Sequence, residues 1–105
     1  MSPQAGEVWL ADLGLAAKPR PVVVLSPFDP APPRSILIYL PVTRQNRGSR
    51  LEVPVGHLRW LDPDSTVNAQ GIGSIPTVRF ERKIGSLPAL DFEKVKTAVR
   101  LACGV

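Results

Sequence analysis

The chain has 105 residues, of which 44% are hydrophobic and 21% charged, with a net charge of +4 and one cysteine. This balance predicts one folded domain over residues 1–105 and excludes an intrinsically disordered chain. No apolar run approaches the roughly 20 residues that cross a bilayer, so we expect no membrane partner. The lone Cys103 excludes an internal disulfide and a multi-cysteine zinc site, and it fits a reducing cytoplasm.

Short β-strands joined by loops are the dominant prediction. Twelve prolines leave few gaps in which a long helix could grow. The β-branched run 22–25 predicts a buried strand, and Pro21 suits its start because proline cannot donate to a ladder. Alternation and composition predict further strands over 6–12, 35–43, 51–55, 65–70 and 80–87. We expect the first two strands to form an antiparallel hairpin across the connection 13–18.

Several local features refine this picture. The strand 35–43 is apolar almost throughout, which predicts burial on both of its faces, and Pro41 requires a bulge or an edge position. Gly71 and Gly73 predict a bulge or a close backbone approach. Residues 75–79 are expected to turn the chain.

The last segment is the one stretch that predicts a helix. Asp91 is the predicted N-cap, and Gly104 stands where a C-terminal stop is expected. The apolar stripe packs on a sheet and consists of Phe92, Val95, Ala98, Val99 and Ala102. The sum is a mainly β fold with a C-terminal helix, in the form of a small, curled, antiparallel β-barrel.

Arginines concentrate in the middle of the chain, where Glu52 is the single acid between Arg34 and Arg59. Such a run forms either a solvated face or a surface for nucleic acid. Arginine outnumbers lysine nine to four, and its planar fork suits phosphate contacts and base stacking. The arginines of this segment are Arg34, Arg44, Arg47, Arg50 and Arg59.

Arg20 lies between two prolines at the start of the second strand, as a solvated end-cap or as an anion ligand. Thr43 ends the third strand, and antiparallel neighbours would bring its hydroxyl to the Arg20 guanidinium. His57 is the only histidine and Ser26 shows no sign of a His and Asp partnership, so a serine hydrolase is unsupported. We predict no metal and no cofactor.

A guanidinium and a hydroxyl suit RNA phosphodiester chemistry. RNA carries its own nucleophile, the 2′-hydroxyl, so the protein needs only to orient it and to stabilise charge on phosphorus. DNA lacks that hydroxyl, which closes this route to it.

Five blocks of the sequence, in order, resemble the MazF/PemK toxin family. They are GEVWLADL (6–13), RPVVVLS (20–26), LPVT (40–43), EVP (52–54) and KIGSL (83–87). The resemblance implies a CcdB/Kid-like, SH3-type barrel that forms a homodimer. It also implies metal-independent cleavage of single-stranded RNA to 2′,3′-cyclic phosphate and 5′-hydroxyl ends, and a cognate antitoxin that blocks the site.

By motif position, the resemblance assigns Arg20 and Thr43 as the catalytic pair. Around this pair, a set of polar and basic residues is expected to bind RNA. This set comprises Ser26, Arg44, Arg47, Arg50, Gln70, Ser74 and Arg79.

The sequence also departs from the family. Residues 68–74 keep Gln70 but lack the acid and the arginine that many members carry there, and the loop 13–19 is shorter than usual. Two alternatives of other classes therefore stay open: a CcdB-like poison of DNA gyrase, which binds a protein, and a non-catalytic binding module of the same fold.

Overall fold

The computed structural model describes residues 2–14 and 18–105, so part of the short first connection, residues 15–17, lies outside the described residues. Two 3-10 turns, Ala69–Gly71 and Thr77–Arg79, interrupt the strands. The strands are β1 (Glu7–Ala11), β2 (Arg20–Val24), β3 (Ile36–Thr43), β4 (Glu52–Pro54), β5 (Thr66–Asn68), β6 (Gly73–Pro76) and β7 (Phe80–Ser86), and the helix is α1 (Ala89–Cys103).

The strands form one curled sheet in the order β4-β5-β3-β2-β1-β7, with β6 also paired to β3. Every pairing is antiparallel, and the predicted hairpin of β1 and β2 is confirmed, with Val8 opposite Val23. The mainly β fold with a C-terminal helix is likewise confirmed. Within the described residues the end strands β4 and β7 do not pair, so the barrel is not closed by a hydrogen-bonded ladder.

Strand β3 changes partners along one of its edges. Tyr39 pairs with Gly73 of β6, whereas Val42 pairs with Val67 of β5. From Tyr39 to Val42 β3 advances by three residues, whereas the segment paired with it advances by six, from Val67 to Gly73. The extra residues form the turn Ala69–Gly71, which we call the Gln70 turn. Pro41 lies at this break, where no ladder bond to β5 or β6 is needed, as its missing N–H requires.

The predicted close approach at Gly71 is confirmed at the same place. A Cβ added to Gly71 would lie 2.5 Å from Cγ of Pro41, so the backbone of the Gln70 turn packs directly on the Pro41 ring of β3. Only glycine leaves room for that contact.

Two clusters of buried side chains cover the two faces of the sheet. One joins the sheet to α1 through residues such as Val23, Leu40 and Val95. The other contains Trp9 and Phe80 on the opposite face. The apolar stripe of α1 contributes to the first cluster as predicted, and Gly104 ends the helix at φ +71°.

The predicted N-cap of α1 is wrong. The helix begins at Ala89, after Pro88, whose fixed φ suits an N-terminal position. Asp91 lies within the first turn, is buried, and accepts a hydrogen bond of 2.9 Å from Nε2 of His57. Its short polar side chain thus serves a tertiary contact.

Three strand predictions also need correction. The first part of β3 is not buried on both faces, because Ile36 and Ile38 are 44% and 42% exposed. Residues 73–76 form β6 beside β3 although glycine and proline are poor strand formers, and only the following three residues turn. The predicted strand 65–70 stops at Asn68, where the Gln70 turn begins.

Candidate active site

A groove of about 740 Å³ opens where the start of β2, the end of β3 and the Gln70 turn meet. Two prolines and three arginines are among the residues that line it. The lining residues are Leu13, Arg20, Pro21, Pro41, Val42, Thr43, Arg44, Gln45, Arg47, Ser49, Glu52, Asn68 and Gln70.

Sheet register brings Arg20 and Thr43 together in this groove. The β2–β3 pairing ends with Val22 opposite Pro41. Arg20 and Thr43 each lie two residues beyond that pair, and both line the groove. The Arg20 side chain is exposed, and no acid of the described residues lies within 4 Å of its guanidinium. A fixed positive charge with no internal counter-ion suits an anion from solution.

The arginine loop, residues 44–50, forms one wall of the groove. The Thr43 hydroxyl donates to the carbonyl of Gln45 at 3.2 Å, which ties the end of β3 to this loop. Arg47 donates from Nη2 to the Gln45 side chain at 3.4 Å. Arg44 pairs with Asp62 at 3.4 Å, but its side chain is 72% exposed, so the pair leaves it open to solvent.

Glu52 and Asn68 line the groove although sequence reasoning did not select them as site residues. They are opposite each other in the β4–β5 pairing. The backbone N–H groups of Arg47 and then Ser49 donate to the Glu52 carboxylate and lower its pKa below the ordinary value of 4.5. The signal in the sequence was Glu52 itself, the single acid in an arginine-rich segment.

Gln70 lines the groove from the middle of its 3-10 turn. The Asn68 side chain caps this turn and accepts the backbone N–H of Gln70 at 3.0 Å. The Gln70 side chain is exposed and lines the groove, where its amide can both donate and accept hydrogen bonds.

A family model described as the PemK-like, MazF-like toxin of type II toxin–antitoxin systems matches residues 4–103. The chain belongs to this toxin family. The resemblance drawn from the sequence blocks is thereby confirmed, and nearly the whole chain is covered.

Solved structures of MazF-type toxins share the fold. An endoribonuclease in complex with its cognate antitoxin, from a mycobacterial species, superposes with a TM-score of 0.86 at 22% identity, over 99% of this chain and 97% of that one. The Mycobacterium tuberculosis toxin MazF-mt6 gives 0.81 at 28% identity, over 94% and 97%. The MazE–MazF complex of Deinococcus radiodurans gives 0.80 at 24% identity, over 100% and 98%.

Four residues predicted to bind RNA lie outside the groove of this MazF-like toxin. The Ser26 hydroxyl accepts the backbone N–H of Ile38 at 2.7 Å, so it supports the chain after β2. Ser74 is exposed on β6 opposite Ile38. Arg79 contacts Asp12 at 3.7 Å. Arg50 lines a separate cleft between β4 and α1.

The groove of this family member carries no sign of a metal centre. Within residues 2–14 and 18–105 there is no group of three or more histidines, cysteines or acids that could hold an ion. None of the helices in these ranges is long and apolar enough to cross a membrane.

Proposed function

We propose that this MazF-like toxin is an endoribonuclease that cleaves single-stranded RNA through attack by the 2′-hydroxyl. The observation that carries the proposal is the Arg20 guanidinium, which has no acid partner among the described residues and lines the same groove as Thr43, Arg44 and Arg47. These groups recognise a phosphodiester backbone, and the groove is open enough for an unpaired strand.

In the proposed reaction the 2′-oxygen bonds to the adjacent phosphorus and the bond from phosphorus to the 5′-oxygen breaks. The products are a 2′,3′-cyclic phosphate and a 5′-hydroxyl. Arg20 stabilises the negative charge that develops on the non-bridging oxygens, and Thr43 donates a hydrogen bond to one of them. The 2′-hydroxyl proton passes to water, and the departing 5′-oxygen takes a proton from water, while Arg20 keeps its charge.

This chemistry needs no metal ion, because the substrate supplies the nucleophile and Arg20 supplies the positive charge. Arg44 and Arg47 are proposed to hold flanking phosphates, and Gln70 to contact a base or the 2′-hydroxyl. The family acid missing from residues 68–74 is then not required, since positioning and charge stabilisation carry the rate.

We extend the proposal to two protein partners. Relatives have been solved with a cognate antitoxin, and we propose that such an antitoxin blocks the groove of this chain. We also propose a homodimer, because Phe28, Ile36 and Ile38 form an exposed apolar face away from the groove arginines. A chain of net charge +4 associates with itself more readily through such a face than through an arginine-lined one. We propose that the toxin acts on RNA in the cytoplasm.

Incubation of the purified protein with a long single-stranded RNA tests the function. We expect discrete new ends that carry 5′-hydroxyl groups, unaffected by EDTA and absent with Arg20→Ala. New ends that carry 5′-phosphates, or cleavage that EDTA abolishes, would refute the mechanism. Absence of any cleavage together with inhibition of DNA gyrase would favour the gyrase poison.

A further inference from the structure

Glu52 is the one acid among the described residues that line the groove, and its carboxylate is engaged by the protein. The N–H of Arg47 donates to both of its oxygens, at 3.2 and 3.1 Å, and the N–H of Ser49 donates to Oε1 at 3.0 Å. These bonds connect β4 to the arginine loop. The same bonds lower the pKa of Glu52, which makes it a poor proton acceptor.

Asn68 restrains the Gln70 turn in a corresponding way. It pairs with Glu52 across β4 and β5, and its Oδ1 accepts the N–H of Gln70 at 3.0 Å. One cross-strand pair of side chains therefore fixes two segments: Glu52 holds the loop that carries Arg44 and Arg47, and Asn68 holds the turn that carries Gln70.

The arginine loop is also restrained near its two ends. The Thr43 hydroxyl bonds to the Gln45 carbonyl, Arg44 pairs with Asp62, and the Glu52 N–H donates to the Ser49 carbonyl at 3.3 Å. Within the loop, Asn46 Oδ1 accepts the N–H of Gly48 at 2.8 Å, and Gly48 adopts a φ of +73°. These contacts shape a tight turn but do not attach it to the sheet. The Glu52 carboxylate attaches the middle of the loop through the N–H groups of Arg47 and Ser49, so removal of its charge loosens the segment that carries Arg47.

We propose that Glu52 and Asn68 are a positioning pair that holds the arginine loop and the Gln70 turn in place for RNA, and that Glu52 is not the general base. This inference rests on the proposed RNA-binding function. It deepens that function by assigning the acid that faces the arginines to loop order, in place of proton transfer.

Net charge and the positioning role predict opposite effects of neutralising Glu52 on RNA binding. Glu52→Gln raises the net charge from +4 to +5, which by electrostatics strengthens RNA binding. A glutamine offers one acceptor oxygen in place of two and no charge, so the loop loses attachment and binding weakens. Glu81→Gln is the matched control, since it makes the same charge change at an exposed position on β7, away from the groove.

The kinetic test measures kcat and KM of RNA cleavage for the wild type, Glu52→Gln and Glu81→Gln. We expect Glu52→Gln to raise KM about threefold to tenfold with kcat within about twofold, because RNA must then order the loop on binding. Glu81→Gln should leave KM unchanged or lower it. A loss of kcat of about 100-fold with unchanged KM would make Glu52 the base, and tighter binding by Glu52→Gln would exclude a positioning role.

Amide NMR tests the positioning pair without RNA. As the pH falls, the amide proton chemical shifts of Arg47 and Ser49 should change together when the Glu52 carboxylate is protonated, with one shared midpoint below pH 4.5. This change should be absent in Glu52→Gln. Asn68→Ala should speed hydrogen exchange of the Gln70 amide. Flat titrations in the wild type would overturn the inference even if RNA is cleaved. If the two amides titrate together in a protein that cleaves no RNA, the proposed function is wrong, but Glu52 still restrains the arginine loop.

Discussion

At the scale of single residues, the proposed activity rests on Arg20. Its guanidinium has no acid within 4 Å among the described residues, and it is held at the start of β2 by the pairing of Ala11 with Arg20. A charge that is fixed by a strand and not neutralised by the protein is available to a phosphate. Thr43 differs, because its hydroxyl also bonds to Gln45.

Arg20→Ala and Thr43→Ala should therefore separate catalysis from stability. We expect Arg20→Ala to lower the cleavage rate about 100- to 1,000-fold, as loss of a transition-state charge partner does. Its free energy of unfolding should stay within about 0.5 kcal/mol, since the side chain removed is exposed and has no acid partner in the part of the chain that the structure describes. Thr43→Ala should lose activity and about 1 kcal/mol of stability. Rates on RNA and urea unfolding measure both, and wild-type rates for both variants would contradict the assignment.

At the scale of elements, the groove depends on how β3 exchanges partners. The antiparallel register of β2 and β3 could be anticipated from two apolar runs, and with it the nearness of Arg20 and Thr43. The Gln70 turn could not, because it arises from three extra residues between β5 and β6, and β6 has only one strand-forming residue, Ile75. Pairing with β3 overrides the low strand propensity of the glycine and the proline in β6.

Side chains that serve the backbone were also hard to foresee. Ser26 is polar and follows the Arg20 strand, yet its hydroxyl accepts an N–H of β3. Glu52 looks like an isolated acid, yet it fixes the arginine loop. Such contacts join residues that are distant along the chain or depend on loop geometry, so composition and periodicity do not reveal them.

The ion pair between Glu7 of β1 and Lys83 of β7 predicts how the stability of the protein depends on pH. Burial alone raises the pKa of Glu7, but hydrogen bonds from the Trp9 indole at 2.9 Å, the Gln4 N–H at 2.8 Å and Lys83 at 3.0 Å bring it below 4.5. A pKa lowered by folding stabilises the protein above the unfolded value, and this stability is lost as the pH falls through the folded value.

Glu7→Gln should therefore destabilise the protein by about 1 kcal/mol at pH 7 and by progressively less as the pH falls below 4.5. Unfolding free energies of the wild type and the variant between pH 3 and pH 7 measure the difference. Glu81→Gln, on the exposed part of β7, is the control and should keep the unfolding free energy at pH 7 within about 0.5 kcal/mol of the wild type. A Glu7→Gln effect that does not change with pH would contradict the carboxylate's role.

At the scale of the whole molecule, two surfaces have different chemistry. The groove is lined by arginines and amides, whereas the start of β3 exposes isoleucines that no part of the described chain covers. Exposed β-strand isoleucines are costly in water, and a second copy of the chain would cover them. The activity and the assembly are thus assigned to separate faces.

Ile38→Glu should convert the proposed dimer to a monomer without unfolding it. A charge at the centre of an apolar interface must be desolvated, whereas on a lone chain it faces water. Light scattering coupled to gel filtration should give twice the mass of one chain for the wild type and one chain mass for the variant. Leu90→Glu, at a 70% exposed site on α1, is the control that should stay dimeric. A monomeric wild type would contradict the homodimer.

In the proposed reaction the 2′-hydroxyl of RNA is the nucleophile, in a groove built around Arg20. The direct measurement is the cleavage rate of a short RNA that contains one mapped cleavage site, compared with the same strand carrying a single 2′-deoxynucleotide on the 5′ side of the scissile phosphate. We predict that the substituted strand binds with similar affinity and is not cleaved, since its nucleophile is missing. Cleavage of the substituted strand at the rate of the all-RNA strand would contradict the account.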